Sequence, residues 1–156
     1  MKNRRMLYLA ILAGLLVAMG AIPALAAVDT PMYVHQSRVA HTGRSSGGTD
    51  DIAGFIHIQD VNYDRVAGAE VTADWTWLLN DGTDGKLLGQ TATTGDQGLA
   101  VFDDLYKGYG EYTICVTDVT HNDGDPDTNW VYASELNWVG QTCATLVVAP
   151  QYAPGR

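Results

Sequence analysis

The fold is decided by three pieces of one stretch of sequence: Val66-Ala-Gly-Ala-Glu-Val-Thr-Ala-Asp-Trp-Thr-Trp77, Thr93-Thr-Gly-Asp-Gln-Gly-Leu-Ala-Val-Phe102 and Glu111-Tyr-Thr-Ile-Cys-Val-Thr-Asp-Val119. In the first piece Val71, Ala73 and Trp75 alternate with polar residues, a period of two that is typical of a half-buried strand. Glycines stand at nearly every turn between the pieces, where they adopt positive φ without steric cost. The stretch therefore predicts antiparallel strands joined by tight turns.

The same pattern continues on both sides of this stretch. Ile56 and Ile58 alternate with His57, so we expect the two isoleucines to face the core and the histidine to face away. Residues 142–148 have the composition of a last strand, whereas His41 to Asp50 has that of a loop. About seven short strands, with turns every eight to twelve residues and no helical periodicity, predict an all-β antiparallel sandwich.

The first 26 residues have the three parts of a secretory signal peptide. A basic start with Lys2, Arg4 and Arg5 is followed by an apolar run and by Ala24-Leu25-Ala26, a small-residue cleavage motif. An uncleaved membrane anchor is the alternative. We therefore expect residues 1–26 to be a signal peptide, 27–50 an N-terminal strand with a flexible loop, 51–148 the sandwich and 149–156 a disordered tail.

Charge limits the partners that this protein can bind. The leader holds three of the nine basic residues and none of the eighteen acidic ones, so the remaining chain has six basic residues and a net charge of −12. Nucleic acid and anionic membranes both attract basic surfaces. The sequence thus predicts a secreted or cell-surface protein with an extracellular partner, and with no contact to nucleic acid or, after cleavage, to membrane.

The two cysteines, Cys115 and Cys143, both lie in the exported part of the chain. Oxidising compartments favour a disulfide between such a pair, and neither cysteine has a histidine or another cysteine at metal-ligand spacing. A bridge that closes this loop contributes about 3 to 4 kcal/mol in the chain-entropy model. A structural disulfide is therefore the favoured interpretation over a reactive or metal-binding pair.

Three segments resemble bacterial immunoglobulin-like domains and the related carboxypeptidase-regulatory-like domains. They are Val66-Ala-Gly-Ala-Glu-Val71 followed by Trp75, the segment Thr93 to Phe102, and Tyr112-Thr-Ile-Cys-Val-Thr-Asp-Val-Thr120; the likeness covers about residues 50–148. The resemblance implies an immunoglobulin-like β-sandwich with Greek-key connections. It implies little about activity, because these motifs are turn and core patterns.

An acidic loop is the first candidate site. Asp123, Asp125 and Asp127 recur at every second residue within Asn122 to Asn129. Tight loops gather hard oxygen ligands around calcium in this way, although the glycine and the bidentate glutamate of the helix-loop-helix calcium motif are missing here. The sequence predicts either a structural calcium site or a solvated acidic loop, and no other cofactor.

Aromatic residues in the same region are the second candidate site. Trp130, Tyr132 and Trp138 lie between the two cysteines, in a segment expected to be a long loop. Exposed rings there form a platform for a sugar or for a protein partner. The alternative is that the rings cover the open end of the core.

The sequence offers no pattern specific to catalysis. The four histidines lie far apart, and there is no nucleophile elbow and no histidine pair at helical spacing. We therefore expect a non-catalytic domain that binds an extracellular protein or carbohydrate. The alternative is a structural subunit of a surface layer or filament, in which residues 28–51 self-assemble by adding a strand to a neighbouring molecule.

Overall fold

Two four-stranded sheets make up the part of the chain that the computed structural model describes, which is residues 27–44, 50–103, 105, 108–125, 128–137 and 141–149. The strands are β1 (Val28–Arg44), β2 (Asp50–Asp60), β3 (Glu70–Leu79), β4 (Asp84–Thr93), β5 (Leu99–Phe102), β6 (Gly110–Thr120), β7 (Thr128–Tyr132) and β8 (Cys143–Val148). A 3-10 turn over Ser134–Leu136 follows β7. The prediction of an all-β sandwich is confirmed.

The first sheet has the strand order β5-β2-β1-β7, and the second has the order β4-β3-β6-β8. All neighbouring strands are antiparallel except β1 and β7, which run parallel. Residues 128–132 were expected to belong to a loop, but they pair with the start of β1 from Val28 to Met32. This pairing gives eight strands in the described residues, where the sequence indicated about seven.

The core lies between the two sheets, as the period of two predicts. Val71, Ala73 and Trp75 of β3 are buried, and Ile56 and Ile58 of β2 are fully buried. Further residues of the same core are Tyr112, Ile114 and Val116 of β6, and Ala100 and Phe102 of β5. Trp77 and Leu79 are only partly buried, because they lie at the end of β3 and pack against the margin of the core.

A β-bulge at His35 sets which residues of β1 face outward. Val34 pairs with Ile58 and Gln36 pairs with His57, so His35 is an extra residue in the ladder. The extra residue keeps both Val34 and Val39 buried, although they are an odd number of positions apart. The long strand β1 therefore contributes to the core on both sides of the bulge, and it joins the sandwich instead of preceding it.

Tyr112 anchors the start of β6 to the preceding loop. Its ring is fully buried, and its hydroxyl donates a hydrogen bond to the carbonyl oxygen of Gly108 at 2.7 Å and accepts one from the Gly108 amide at 3.0 Å. A buried hydroxyl without partners costs about 1 to 3 kcal/mol, so this pair of bonds permits the tyrosine in the core. The loop before β6 is fixed as a result.

The disulfide between Cys115 and Cys143 is confirmed. The two residues pair directly across β6 and β8, with their Cα atoms 4.1 Å apart. Cys115 lies between the inward-facing Ile114 and Val116, so its side chain is on the outer face of the second sheet. The bridge therefore ties neighbouring strands of one sheet and does not connect the two sheets.

The expected signal peptide, residues 1–26, lies outside the described residues, as do residues 150–156 of the expected tail 149–156. Of the expected loop from His41 to Asp50, residues 41–44 belong to β1 and residues 45–49 lie outside the described residues. Within the part that is described, no helix has the length and apolar character needed to cross a membrane.

We predict that Gly54→Ala destabilises the protein by about 1 to 3 kcal/mol, the usual cost of overpacking a core. An added Cβ at Gly54 would lie 2.6 Å from Ile114 Cδ1 and 3.0 Å from Trp75 Cζ2. Gly95→Ala is the matched control, because a Cβ there meets no atom within 4 Å. Urea unfolding of both variants tests the prediction, and equal stabilities would contradict it.

We also predict that the double variant Cys115→Ala/Cys143→Ala folds but loses about 3 to 4 kcal/mol of unfolding free energy, as expected for a loop of this length. The fold should persist because the bridge lies outside the core. Urea unfolding, with reduced wild type as the comparison, measures the loss. A double variant as stable as the oxidised wild type would show that the bridge does not stabilise the fold.

Candidate functional site

The residues predicted as an aromatic platform pack against the core. Trp130 and Tyr132 are half-buried, and both point toward the interior from β7. Trp130 meets His121 edge to face, with ring centroids 4.9 Å apart. Its indole nitrogen donates a hydrogen bond to Asp123 Oδ2 at 2.8 Å. This geometry is that of the alternative interpretation, in which the rings cover the end of the core; Trp138 lies outside the described residues.

The acidic loop is held mainly by its own hydrogen bonds. Asp123 accepts bonds from the Trp130 indole and the Asp125 amide, and the first of these is the main cause that lowers the pKa of Asp123 below its ordinary value. Asn122 accepts a bond from the Gly124 amide. Among the described residues no three His, Cys, Asp or Glu side chains come together to hold a metal. Asp127 lies outside those residues, so the calcium site remains a prediction.

Asn137 provides a hydrogen-bond partner for β1 beyond the point where β7 ends. Its Oδ1 accepts a hydrogen bond from the Val34 amide at 2.7 Å, and its Nδ2 donates one to the Tyr132 hydroxyl at 2.8 Å. The Val34 amide would otherwise be an unpaired donor on the edge of β1, which is costly once buried. The side chain thereby fixes the 3-10 turn against the first sheet.

A groove of about 210 Å³ lies beside this turn, on the outer face of the first sheet. We call it the tyrosine groove, and it is lined by Tyr33, Val61, Tyr63 and Leu136. Tyr33 forms the floor and is only 4% exposed, whereas Tyr63 is 68% exposed. Burial, followed by the nearby Tyr63 and Asp60, raises the pKa of Tyr33 above its ordinary value. Its hydroxyl is therefore protonated at neutral pH and can donate a hydrogen bond.

Tyr63 has an unusual backbone conformation. Its φ is +68°, and no other non-glycine residue in the described part of the chain has a positive φ. The left-handed region brings Cβ close to the backbone and costs about 1 to 2 kcal/mol for such a residue. At Gly68, Gly82 and Gly98, among other positions of positive φ, the chain avoids this cost by using glycine.

Asp60 holds the turn that presents Tyr63. It is 8% exposed, and its Oδ1 accepts hydrogen bonds from the amides of Asn62 and Asp64, both at 2.8 Å. The Tyr63 amide donates to the Asp60 carbonyl at 3.0 Å, and the Asp60 amide donates to the Asp64 carbonyl at 2.9 Å. These bonds fix the strained turn, so the exposed Tyr63 ring is presented by a rigid support.

None of the residues that line this groove was predicted from the sequence to be a site residue. Leu136 belongs to the segment between the two cysteines that was predicted to carry a site. Tyr63 was part of what the sequence indicated only as a polar turn, and Tyr33 belonged to the first strand. The available signal was a tyrosine inside a run of turn-forming polar residues, where glycine or asparagine is the ordinary choice.

Comparison with models of protein families, with curated proteins and with solved structures finds no match for this chain. Function is therefore inferred from the geometry and chemistry of the grooves, because the fold of a β-sandwich does not specify an activity.

We predict that Asn137→Ala lowers the unfolding free energy by about 1 to 3 kcal/mol, because the Val34 amide loses its partner. Tyr132→Phe is the matched control, because it removes the other hydrogen bond of Asn137 and keeps the half-buried ring. The tyrosine hydroxyl pairs with a side chain and not with the backbone, so we expect a smaller loss of unfolding free energy. Thermal and urea unfolding measure both, and a larger loss in the phenylalanine variant would contradict this assignment.

Proposed function

We propose that this protein is a secreted, non-catalytic binding module that holds an extracellular partner, a protein or a carbohydrate, in the tyrosine groove. The observation that carries the proposal is the strained and exposed Tyr63 beside that groove. Strain of this kind persists only where the surrounding structure enforces it, and it concentrates at binding and catalytic sites. A tyrosine also supplies a large contact surface and a hydroxyl at low entropic cost.

The rest of the groove suits recognition. Val61 and Leu136 provide apolar walls, and the buried Tyr33 provides a floor whose hydroxyl lies 3.5 Å from Gln59 Oε1. Apolar walls with a few placed polar groups are the usual composition of a ligand site. The disulfide between Cys115 and Cys143 supports the extracellular location, since such bridges persist in oxidising compartments.

The finer assignment to an immunoglobulin-like domain belongs to this proposal. Its main support is Tyr112, because a tyrosine near the start of a late strand, bonded back to the chain four residues upstream, recurs in sandwiches of that class. Alternating crossings between two sheets fit Greek-key connections. Two features differ from antibody domains: the disulfide lies within one sheet, and β7 is parallel to β1.

The position of β1 favours a binding module over assembly by strand addition. Residues 28–32 pair with β7 and residues 32–44 pair with β2, and Met32 and Val34 are fully buried. Donating this strand to a neighbour would remove both side chains from the core, at about 1.5 to 3 kcal/mol for each. A filament built in that way would therefore have to open the sandwich of every subunit.

We predict that Tyr63→Gly weakens partner binding by about 30-fold or more, as for an aromatic residue that anchors an interface. The same variant should unfold at equal or higher free energy, because glycine adopts the positive φ without strain. Retention on an oligosaccharide array and on an array of secreted proteins, together with urea unfolding, provides both measurements.

Tyr63→Ala is the companion variant, because it removes the ring and keeps the strained backbone. We expect it to lose binding as Tyr63→Gly does, without the gain in stability. If both variants lost stability and kept their binding, the ring would have a structural role and the proposed site would be wrong.

A further inference from the structure

A second groove, of about 300 Å³, continues the outer face of the first sheet beyond the tyrosine groove. We call it the cationic groove; its lining residues are Gln36, Arg38, Ala40, Phe55, His57 and Leu99. They come from three neighbouring strands, since Gln36 pairs with His57, which in turn pairs with Leu99. Arg38 pairs with Phe55 in the next row. The guanidinium and the aromatic ring therefore stand side by side on one face.

The charge of this groove is opposite to that of the protein. The chain after the leader has a net charge of −12, yet no carboxylate is among the six lining residues. Arg65 and His35 are close enough to His57 that, after burial as the largest cause, they lower the pKa of the His57 imidazole below its ordinary value. His57 is therefore neutral at neutral pH, and the positive charge comes from Arg38 in the groove and Arg65 near His57; on an acidic protein this local positive charge favours an anionic ligand.

The two grooves form one path along β1 and β2. Tyr33, which lines the tyrosine groove, pairs with Gln59. The next outward-facing pair along the two strands is Gln36 with His57, and both of these residues line the cationic groove. From Gln59 to Phe55, their partners on the regular strand β2, the path advances by about 13 Å, at about 3.3 Å for each residue. A path of this length fits an extended polymer better than a single small molecule.

Backbone pairing distinguishes a sugar polymer from a peptide. The path lies over the pairing of β1 with β2, where the facing amides and carbonyls of the two strands bond each other from Tyr33 to Arg38; β7 pairs with β1 only from Val28 to Met32, so the unpaired edge of β1 lies to one side of the path. An extended peptide binds most favourably at a free strand edge, where its own backbone groups find partners. A sugar needs only side-chain partners for its hydroxyl groups, and Gln36, Gln59 and the Tyr33 hydroxyl are placed along the path. Phe55 offers a ring face to the apolar side of a sugar.

We propose that the ligand is an acidic polysaccharide, which lies along β1 and β2 and places a sugar carboxylate against Arg38 and His57. This inference rests on the proposed function, because it names the chemical class that would also occupy the tyrosine groove. Arg38 supplies a planar donor that matches a carboxylate. His57 gains a partner when the carboxylate binds, since a nearby anion favours the protonated imidazole.

The test uses full-length mature protein and two matched probes, oligogalacturonate and its methyl ester, which differ at each sugar carboxyl by one negative charge and one methyl group. Titration calorimetry should give tighter binding for the acid than for the ester. Arg38→Gln should weaken binding of the acid by about 10- to 100-fold, the loss expected for a hydrogen bond to a charged group, and leave the ester unchanged. Lys86→Gln is the charge-matched control, because Lys86 is an exposed residue of β4 in the other sheet.

A second readout is the titration of His57 followed by NMR. Bound oligogalacturonate should raise the pKa of His57, and by linkage its affinity should rise as the pH falls through the pKa of the free protein. The charged groups that face His57 are His35 and Arg38 of β1 and Arg65 after β2, while β5 contributes the neutral Leu99. The His35→Gln variant removes the second imidazole and so isolates the response of His57.

Four results would overturn the inference. They are equal binding of the acid and the ester, equal losses in Arg38→Gln and Lys86→Gln, no binding of either probe, and binding of poly-L-glutamate with the same dependence on Arg38 in place of the sugar.

The Tyr63→Gly variant distinguishes this inference from the proposed function. If it alone abolished binding of both probes while Arg38→Gln changed neither, the tyrosine groove would stand and the carboxylate site would fail. If only Arg38→Gln weakened binding, the carboxylate site would stand and the tyrosine groove would fail.

Discussion

The structure depends on a β-bulge in β1, because the apolar residues of this strand have a spacing that would place them on opposite faces of a regular strand. Met32 and Val34 need the same face as Val39, yet the step from Val34 to Val39 is odd, and a strand turns its side chains over at every residue. The bulge at His35 absorbs one residue and restores the match. The same shift turns Gln36 and Arg38 outward, beside the outward-facing Tyr33. Core packing and the composition of the outer face are thus two results of a single irregularity.

Much of the fold could be predicted from the sequence, because local pattern and final environment agree there. The alternation of Val71, Ala73 and Trp75 matches their burial, and Cys115 and Cys143 form the expected bridge. The bulge could not be predicted, because a displaced apolar residue in β1 looks the same as an imperfect strand. The parallel strand β7 was hidden for another reason. Its residues have a mixed composition, and only the distant start of β1 gives Trp130 and Tyr132 a ladder to join.

The candidate site was harder to predict than the fold, since its residues are distant in sequence. Tyr33, Tyr63 and Leu136 meet only after the sheet, the turn at Asp60 and the 3-10 turn are all in place. The rings of Trp130 and Tyr132, predicted as an exposed platform, are half-buried and pack against the core. Trp130 bonds Asp123, and Tyr132 bonds Asn137, the neighbour of Leu136 in the chain. Sequence pattern therefore could not separate the residues that support a surface from those that form it.

The disulfide has a mechanical consequence for the edge of the second sheet. β8 is an edge strand and the last strand in the described part of the chain, and it pairs with β6 from Val148 opposite Gly110 to Cys143 opposite Cys115. A force applied at the carboxyl end would break the hydrogen bonds between β8 and β6 one pair at a time, starting at Val148. Unzipping would stop at Cys143, where a covalent bond replaces the hydrogen bonds. The load would then pass to β6 and Tyr112 in the centre of the sandwich, so this edge can fray under tension but cannot detach.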